Sequence, residues 1–327
     1  MYTGIYFSLS PKVKDFILSR KSEQINIDFI SDDNLRDFPF EDLDALVCNK
    51  IPYESITALR KPLSVHIPWS GVDHIDFNFF KSDSRLSLCN SHSNADAVAE
   101  HTWAMVMDIA KKLSYNDHLM RSGDWSGRAS SMGYSSRLRG KTLLIIGLGA
   151  IGTRISRFGH AFGMKIIGVK RHPATVPAGC EVETVLGHTQ LETALSAADI
   201  VVVCAPLTNE TRNLMGPFNL SRMKPSSLLI SISRSSLVDF TALYTHLKER
   251  KIAGAAIDNW PRERMTATPA VFQEQPFHEL DNIVLSPHRA FRIEESGFDQ
   301  WADVLENLER VREGKNPRNV VDLELQY

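Results

Sequence analysis

Three side chains in the second half of the sequence have the types needed to protonate a carbonyl oxygen while holding an anion. His288, in Ser-Pro-His-Arg-Ala, is an imidazole, the side chain whose ordinary pKa of about 6.5 suits general acid/base work. Glu263, in Pro-Arg-Glu-Arg, is a carboxylate that would keep a neighbouring imidazole protonated. Arg234, in Ile-Ser-Arg-Ser-Ser, is a guanidinium able to grip a carboxylate with two parallel hydrogen bonds. Each follows a short apolar run of strand type: 283–285, 253–257 and 227–231 respectively. Ligands of open α/β sheets collect at the carboxyl ends of such strands. Taken singly, each residue is also an ordinary strand-end or surface residue.

The element before them carries the stronger pattern. Leu143–Ile146 runs into Gly147, Gly149 and Gly152, giving G-x-G-x-x-G between a strand and a helix, with a second strand behind. Gly147 permits the tight turn, Gly149 close approach of a pyrophosphate, and Gly152 close helix–strand packing. Ala150 and Ile151 open the helix, whose free N–H groups and positive dipole end favour phosphate. A dinucleotide site is expected here. NAD-binding sites usually place an acidic residue about 20 residues further on. This chain has Lys170 and Arg171, then His172. Two cations favour a 2′-phosphate, so NADP is the expected cofactor, with NAD the alternative and these residues then simply solvated charges.

Composition is that of a globular chain. It has 327 residues, 43% hydrophobic and 23% charged, with formal net charge −2. The near-neutral balance gives no support for nucleic acid or an anionic membrane as partner. No apolar run approaches the ~20 residues of a membrane helix, and the N-terminus lacks the pattern of a secretory signal. Cys48, Cys89, Cys180 and Cys204 are scattered without C-x-x-C spacing and read as free thiols in a reducing cytoplasm. No metal is expected.

The 140 or so residues before the glycines form a unit of their own. Apolar runs at 4–8, 25–30, 45–48, 63–67 and 86–88 read as strands, with helices expected at 11–22 and 53–60. Residues 94–121 read as one long helix with an apolar stripe at Ala97, Val98, His101, Met105, Ile109 and Leu113. Further strands are expected at 200–205, 227–231, 253–257 and 283–285, and a last helix at 294–313. Strands alternating with helices predict parallel sheets in two α/β domains.

Six segments make the chain similar to the D-isomer-specific 2-hydroxyacid dehydrogenase family. They are SGVDHID (70–76), AVAEHTWAM (97–105), GKTLLIIGLGAIG (140–152), CAPLTNETRNLMG (204–216), MKPSSLLISISRSSLVD (223–239) with GAAIDNWPRE (254–263), and SPHRA (286–290). The resemblance implies a Rossmann-type doubly wound parallel sheet plus a smaller flavodoxin-like α/β substrate domain. The expected division is 1–96 with 289–327 for substrate and 97–288 for the dinucleotide. It implies Arg234, Glu263 and His288 as the catalytic set, and Ser70, Gly71 and Val72 as the loop whose N–H groups hold the substrate carboxylate. Thr102, Pro206, Ile232, Ser233, Arg234, Asp258 and His288 join the glycine turn as implied cofactor contacts. A homodimer, built through the segment joining the domains, is implied too.

The activity implied is hydride transfer between NADP(H) and a small anionic 2-oxo acid/D-2-hydroxy acid pair, in the reductase direction. The chain departs from the family pattern at Ser235, Asn259 and Arg289–Phe291, where Gly, Val and a small stretch such as Ile-Gly-Gly are usual. These departures bear on substrate identity. Glu263 argues against a formate dehydrogenase, which has an amide there. Two alternatives stay open: oxidation of another small anion such as phosphite, and a non-catalytic nucleotide sensor resembling the C-terminal-binding corepressors.

Overall fold

The computed structural model describes residues 1–57, 59–129, 134–261 and 274–327. The chain divides into two compact units, one made of Met1–Asn94 with Ile293–Tyr327, the other of Ala95–Arg292.

The first unit runs β1 (Tyr2–Tyr6), α1 (Pro11–Arg20), β2 (Asn26–Ile30), β3 (Ala45–Cys48), β4 (Leu63–His66), α2 (Phe77–Ser82) and β5 (Leu86–Cys89). Its five strands are all parallel, in the order β2-β1-β3-β4-β5, which is the flavodoxin-like order. Strands β3 and β4 are buried at every position, as parallel strands covered on both faces must be. One face packs Leu46, Val65 and Leu88 against Phe80.

The second unit opens with α3 (Ala95–Lys111) and α4 (Leu113–Arg121). It continues with β6 (Thr142–Ile146), α5 (Ala150–Ala161), β7 (Lys165–Val169), β8 (Thr184–Leu186), α6 (Leu191–Ala197) and β9 (Ile200–Val203). Then come α7 (Pro217–Ser221), β10 (Leu228–Ser231), α8 (Phe240–Lys248), β11 (Gly254–Ile257) and β12 (Ile283–Leu285). The chain returns to the first unit as α9 (Ser296–Arg312), where Trp301, Val304 and Leu308 cover Ile5, Ala45 and Val47 together with Ile17 of α1.

The seven strands of this unit are parallel in the order β12-β11-β10-β9-β6-β7-β8. That is the Rossmann order with one added strand, and its direction reverses between β6 and β9. Side-chain alternation gives the sheet two cores. Leu144, Ile146, Val201 and Val203 face Leu195, Leu243 and Leu247, while Leu143, Ile145, Ile200 and Val202 face Val106 and Ile155. Each such large apolar side chain contributes roughly 1.5–3 kcal/mol by its burial.

Two expected elements differ. The helix expected over 94–121 is broken at Lys112, which is left-handed at φ 56°. Asp108 causes a competing start: its carboxylate accepts the Ser114 N–H at 2.8 Å and the Ser114 hydroxyl, capping α4 from the preceding helix. Leu113 therefore leaves the apolar stripe and is exposed. The helix expected at 53–60 is replaced over Tyr53–Ser55 and Ile56 by turns on the Pro52 carbonyl, which still bury Ile56.

Candidate active site

The glycine turn follows β6 at the point where strand order reverses. Gly147 has φ 104°, and a Cβ there would lie 2.8 Å from the backbone N and Cα of Ala205. Its N–H bonds the Val169 carbonyl and its own carbonyl accepts the Cys204 thiol at 3.0 Å. Burial pushes that thiol up to about 12, so it remains a neutral donor. A Cβ on Gly152 would meet the Gly147 carbonyl oxygen at 2.0 Å. Around Gly149 no atom lies within 4 Å of the Cβ position. The turn is thus closed on its inner side and open at Gly149, beside the N-terminus of a 12-residue helix that has no side-chain cap. Backbone donors facing an opening of that kind fit a pyrophosphate.

The next strands in the sheet end on the other expected residues. Beyond β9 lies Pro206, exposed, with its carbonyl bonded by the Thr211 hydroxyl at 2.7 Å. Beyond β10 lie Ile232 and Ser233, both buried, then Arg234, half-buried. The Ser233 hydroxyl donates to the Val203 and Ala205 carbonyls, tying this loop to the one after β9. Asn259 ties it from the other side: its amide bonds the Ile232 carbonyl at 2.9 Å and also the Ser233 carbonyl. The family's usual valine has no such donor.

Beyond β11 is Asp258, 1% exposed. Oδ1 accepts the Ser286 hydroxyl at 2.5 Å and the Arg289 N–H at 3.0 Å, and Oδ2 accepts the Ala290 N–H at 3.2 Å. Its main-chain carbonyl accepts the His288 N–H at 2.8 Å. A carboxylate has about four acceptor positions, so one remains on Oδ2. His288, after β12, is left-handed at φ 49°. A branched-chain-free but non-glycine residue there carries ~1–3 kcal/mol of strain, sustained by these bonds on either side. The Phe291 ring stands edge-on to the imidazole at 5.7 Å.

On the dinucleotide side, Lys170 and Arg171 follow β7. The Lys170 ammonium donates to the Thr175 carbonyl at 2.6 Å, and Arg171 pairs with Glu210 at 2.8 Å. Thr102 is fully buried in α3, with its hydroxyl donating to the Val98 carbonyl at 2.6 Å. Glu263 lies outside the described residues. Trp260 is core: it packs on Phe240 and Phe277 and its indole N–H bonds the Ser286 carbonyl. Among the described residues, no group of three or more His, Cys, Asp or Glu could hold a metal.

Ser70, Gly71 and Val72 follow β4 in the first unit. The three preceding carbonyls are all spoken for: Pro68 by the Gln300 amide, Trp69 by the Ser91 N–H and Ser70 by the Asn90 amide. In a trans peptide the N–H points opposite to the C=O. The N–H groups of Trp69, Ser70 and Gly71 are therefore turned away from those anchors.

Residues 103–290 match the family model for the D-isomer specific 2-hydroxyacid dehydrogenase, NAD binding domain. The chain belongs to this family. A glyoxylate reductase of Aeropyrum pernix is 36% identical over 264 residues, 78% of this chain and 75% of the relative. A D-3-phosphoglycerate dehydrogenase of Methanocaldococcus jannaschii is 29% identical over 86% of this chain and 52% of its own. Among solved structures, an acyclic imino acid reductase in complex with NADPH and D-Arg superposes with TM-score 0.76 at 25% identity, covering 98% of this chain and all of the other. The NAD-complexed D-isomer specific 2-hydroxyacid dehydrogenase of Lactobacillus delbrueckii ssp. bulgaricus has the same fold, with TM-score 0.79 at 23% identity and the same coverages. This family member is an NAD(P)-dependent oxidoreductase of the D-2-hydroxyacid dehydrogenase class.

Four features of the site were not read from the sequence: His101 and Ser286 behind Asp258, Asn259 behind Arg234, and Glu210 facing Arg171. All act through hydrogen bonds between segments far apart in the chain, which no periodicity signals. Only Asn259 left a trace, as a departure from the family's valine.

Proposed function

We propose that this enzyme reduces a small 2-oxo acid to the D-2-hydroxy acid, with NADPH preferred over NADH. The glycine turn, with the N–H groups of Ala150 and Ile151 at the start of α5, would hold NADPH, which would supply the hydride for the carbonyl carbon. Arg234 holds the substrate carboxylate. His288, protonated and paired with Glu263, delivers a proton to the carbonyl oxygen as it gains charge, and the imidazole is left neutral. The arginine also draws electron density from the carbonyl, easing attack at carbon.

One observation carries the reading: Arg234, Asp258 and His288 follow the adjacent parallel strands β10, β11 and β12, at the same end of the sheet as the open glycine turn after β6. A nucleotide sensor needs the turn and has no use for an arginine and a strained histidine on the same edge. The preference for NADPH is supported by Lys170 and Arg171 standing where an acidic residue would bind a ribose 2′-OH. Glyoxylate is the first substrate to test, because curated relatives are glyoxylate reductases. The assay is NADPH oxidation against glyoxylate, hydroxypyruvate, pyruvate and phenylpyruvate, repeated with NADH. Turnover on at least one acid, lost by orders of magnitude in His288→Ala with NADPH still bound, is the expected result. No turnover on any of them, with tight NADPH binding, would move the reading to nucleotide sensing; turnover of phosphite alone would move it to that anion.

The working form in this reading is a homodimer in a reducing cytoplasm. The homodimer is supported by apolar exposure on α4 and just beyond it, at Leu113, Met120, Trp125 and Tyr134. The four free cysteines support the cytoplasm. Light scattering on the eluting protein tests the first: a monomer at micromolar concentration refutes it.

A further inference from the structure

We propose that His101 is a positioning residue for His288, acting through Ser286 and Asp258. The inference rests on the reading of His288 as the proton donor. His101 Nε2, on α3, lies 3.0 Å from the Ser286 hydroxyl oxygen and 3.8 Å from Asp258 Oδ1. A serine hydroxyl has one proton. The 2.5 Å contact to Asp258 uses it, since an ionised carboxylate only accepts. The serine oxygen is therefore the acceptor toward His101, and Nε2 carries a proton. The order of donors is set: His101 to Ser286, Ser286 to Asp258.

Asp258 is where this chain meets the catalytic loop. Its carbonyl holds the His288 N–H, and its carboxylate holds the N–H groups of Arg289 and Ala290. One aspartate thus grips both sides of the left-handed residue. Ser286 and Asp258 are 6% and 1% exposed, so bulk water does not substitute for a lost partner. Without a donor at His101, the serine hydroxyl is free to turn and the carboxylate loses one of the three bonds that fix its rotation. The strained backbone at His288 then relaxes, and the imidazole leaves its working direction. His101 is 26% exposed on its side chain, so replacing it leaves the core intact.

The test compares His101→Leu, His101→Gln and His288→Ala with the full-length protein. Gln places an amide N–H near the Nε2 position and restores the donor. In His101→Leu, kcat is expected to fall about 10-fold or more, while KM for the 2-oxo acid, NADPH affinity and the melting temperature stay close to wild type. His101→Gln should recover most of the kcat. In ¹⁵N-histidine-labelled protein without cofactor, the His288 resonances should shift in the leucine variant and return in the glutamine variant. Wild-type kcat with unshifted His288 signals in His101→Leu would overturn the proposal, and so would equal losses in both variants accompanied by a lowered melting temperature. If His288→Ala keeps its turnover, the parent reading fails. If His288→Ala is inactive while His101→Leu is normal, the His101 inference alone fails.

Discussion

Glu210 accepts two hydrogen bonds from Arg171, at 3.2 Å from Nε and 2.8 Å from Nη2. Arg171 follows β7 and Glu210 follows β9, and β6 lies between those strands in the sheet. The ion pair therefore spans the loops on either side of the glycine turn. Its glutamate is 69% exposed, so the pair is held weakly against solvent. A 2′-phosphate carries more charge than a carboxylate and presents three acceptor oxygens.

In the proposed NADPH-preferring reading, Glu210 competes with the 2′-phosphate for Arg171. Glu210→Ala should raise kcat/KM for NADPH by about 3- to 10-fold and leave NADH little changed. Arg171→Ala should lower the NADPH value by about 10-fold or more. Steady-state kinetics with both cofactors check this; equal effects on NADH and NADPH would remove Arg171 from cofactor choice.

Gly149 and Gly152 separate binding from folding. A methyl at Gly149 meets no protein atom within 4 Å, and its backbone is extended. Gly149→Ala should keep wild-type stability within about 0.5 kcal/mol and weaken NADPH at least 10-fold by filling the space meant for pyrophosphate. Gly152→Ala puts a carbon 2.0 Å from the Gly147 oxygen, so backbone must move and stability itself should drop. Fluorescence titration and thermal melts of both variants distinguish the two; a Gly149→Ala variant with normal affinity would refute the assignment of the opening.

Asp258→Asn tests the grip on His288. An amide offers one acceptor oxygen, yet three donors from Ser286, Arg289 and Ala290 converge on the two carboxylate oxygens. At least one donor is left facing an NH2 group. The expected cost is about 1–3 kcal/mol of stability and about 100-fold in kcat. Denaturant titration and turnover measure them; unchanged turnover would show that the left-handed His288 holds itself.

Much of this architecture is legible in the sequence because burial on both faces writes continuous apolar runs. The run at 45–48 is β3, residue for residue, with all four positions buried; that at 283–285 is the edge strand β12, which is only partly buried and is legible because its three residues are all large and aliphatic. The short edge strand β8 leaves no comparable run, since Thr184 is polar and exposed and only two apolar residues follow it. The break at Lys112 was hidden because apolar spacing continues through it, and only a side chain four residues back, Asp108, decides it. The glycine turn was readable because sterics allow no other residue at Gly147. The Asp258 network was not, because three of its members bond through backbone N–H groups that any residue type carries.

The first unit contains a titratable group outside the catalytic chemistry. His66 on β4 is buried, with its Nε2 3.0 Å from the Ser64 hydroxyl. Burial pushes the imidazole down to about 4 from the ordinary 6.5. Between those values the unfolded chain binds a proton that the native state refuses. Stability therefore falls as pH drops through that window and is fully present above it. The slope from this group is ~1.4 kcal/mol per pH unit, or about 3 kcal/mol over the whole window. His66→Gln keeps a hydrogen-bonding side chain and removes the titration. Urea denaturation at pH 7.5, 6.5 and 5.5 should show the wild type losing about 1 kcal/mol more than the variant between the last two. Parallel stability curves for the two proteins would mean that His66 is protonated as easily in the fold as out of it.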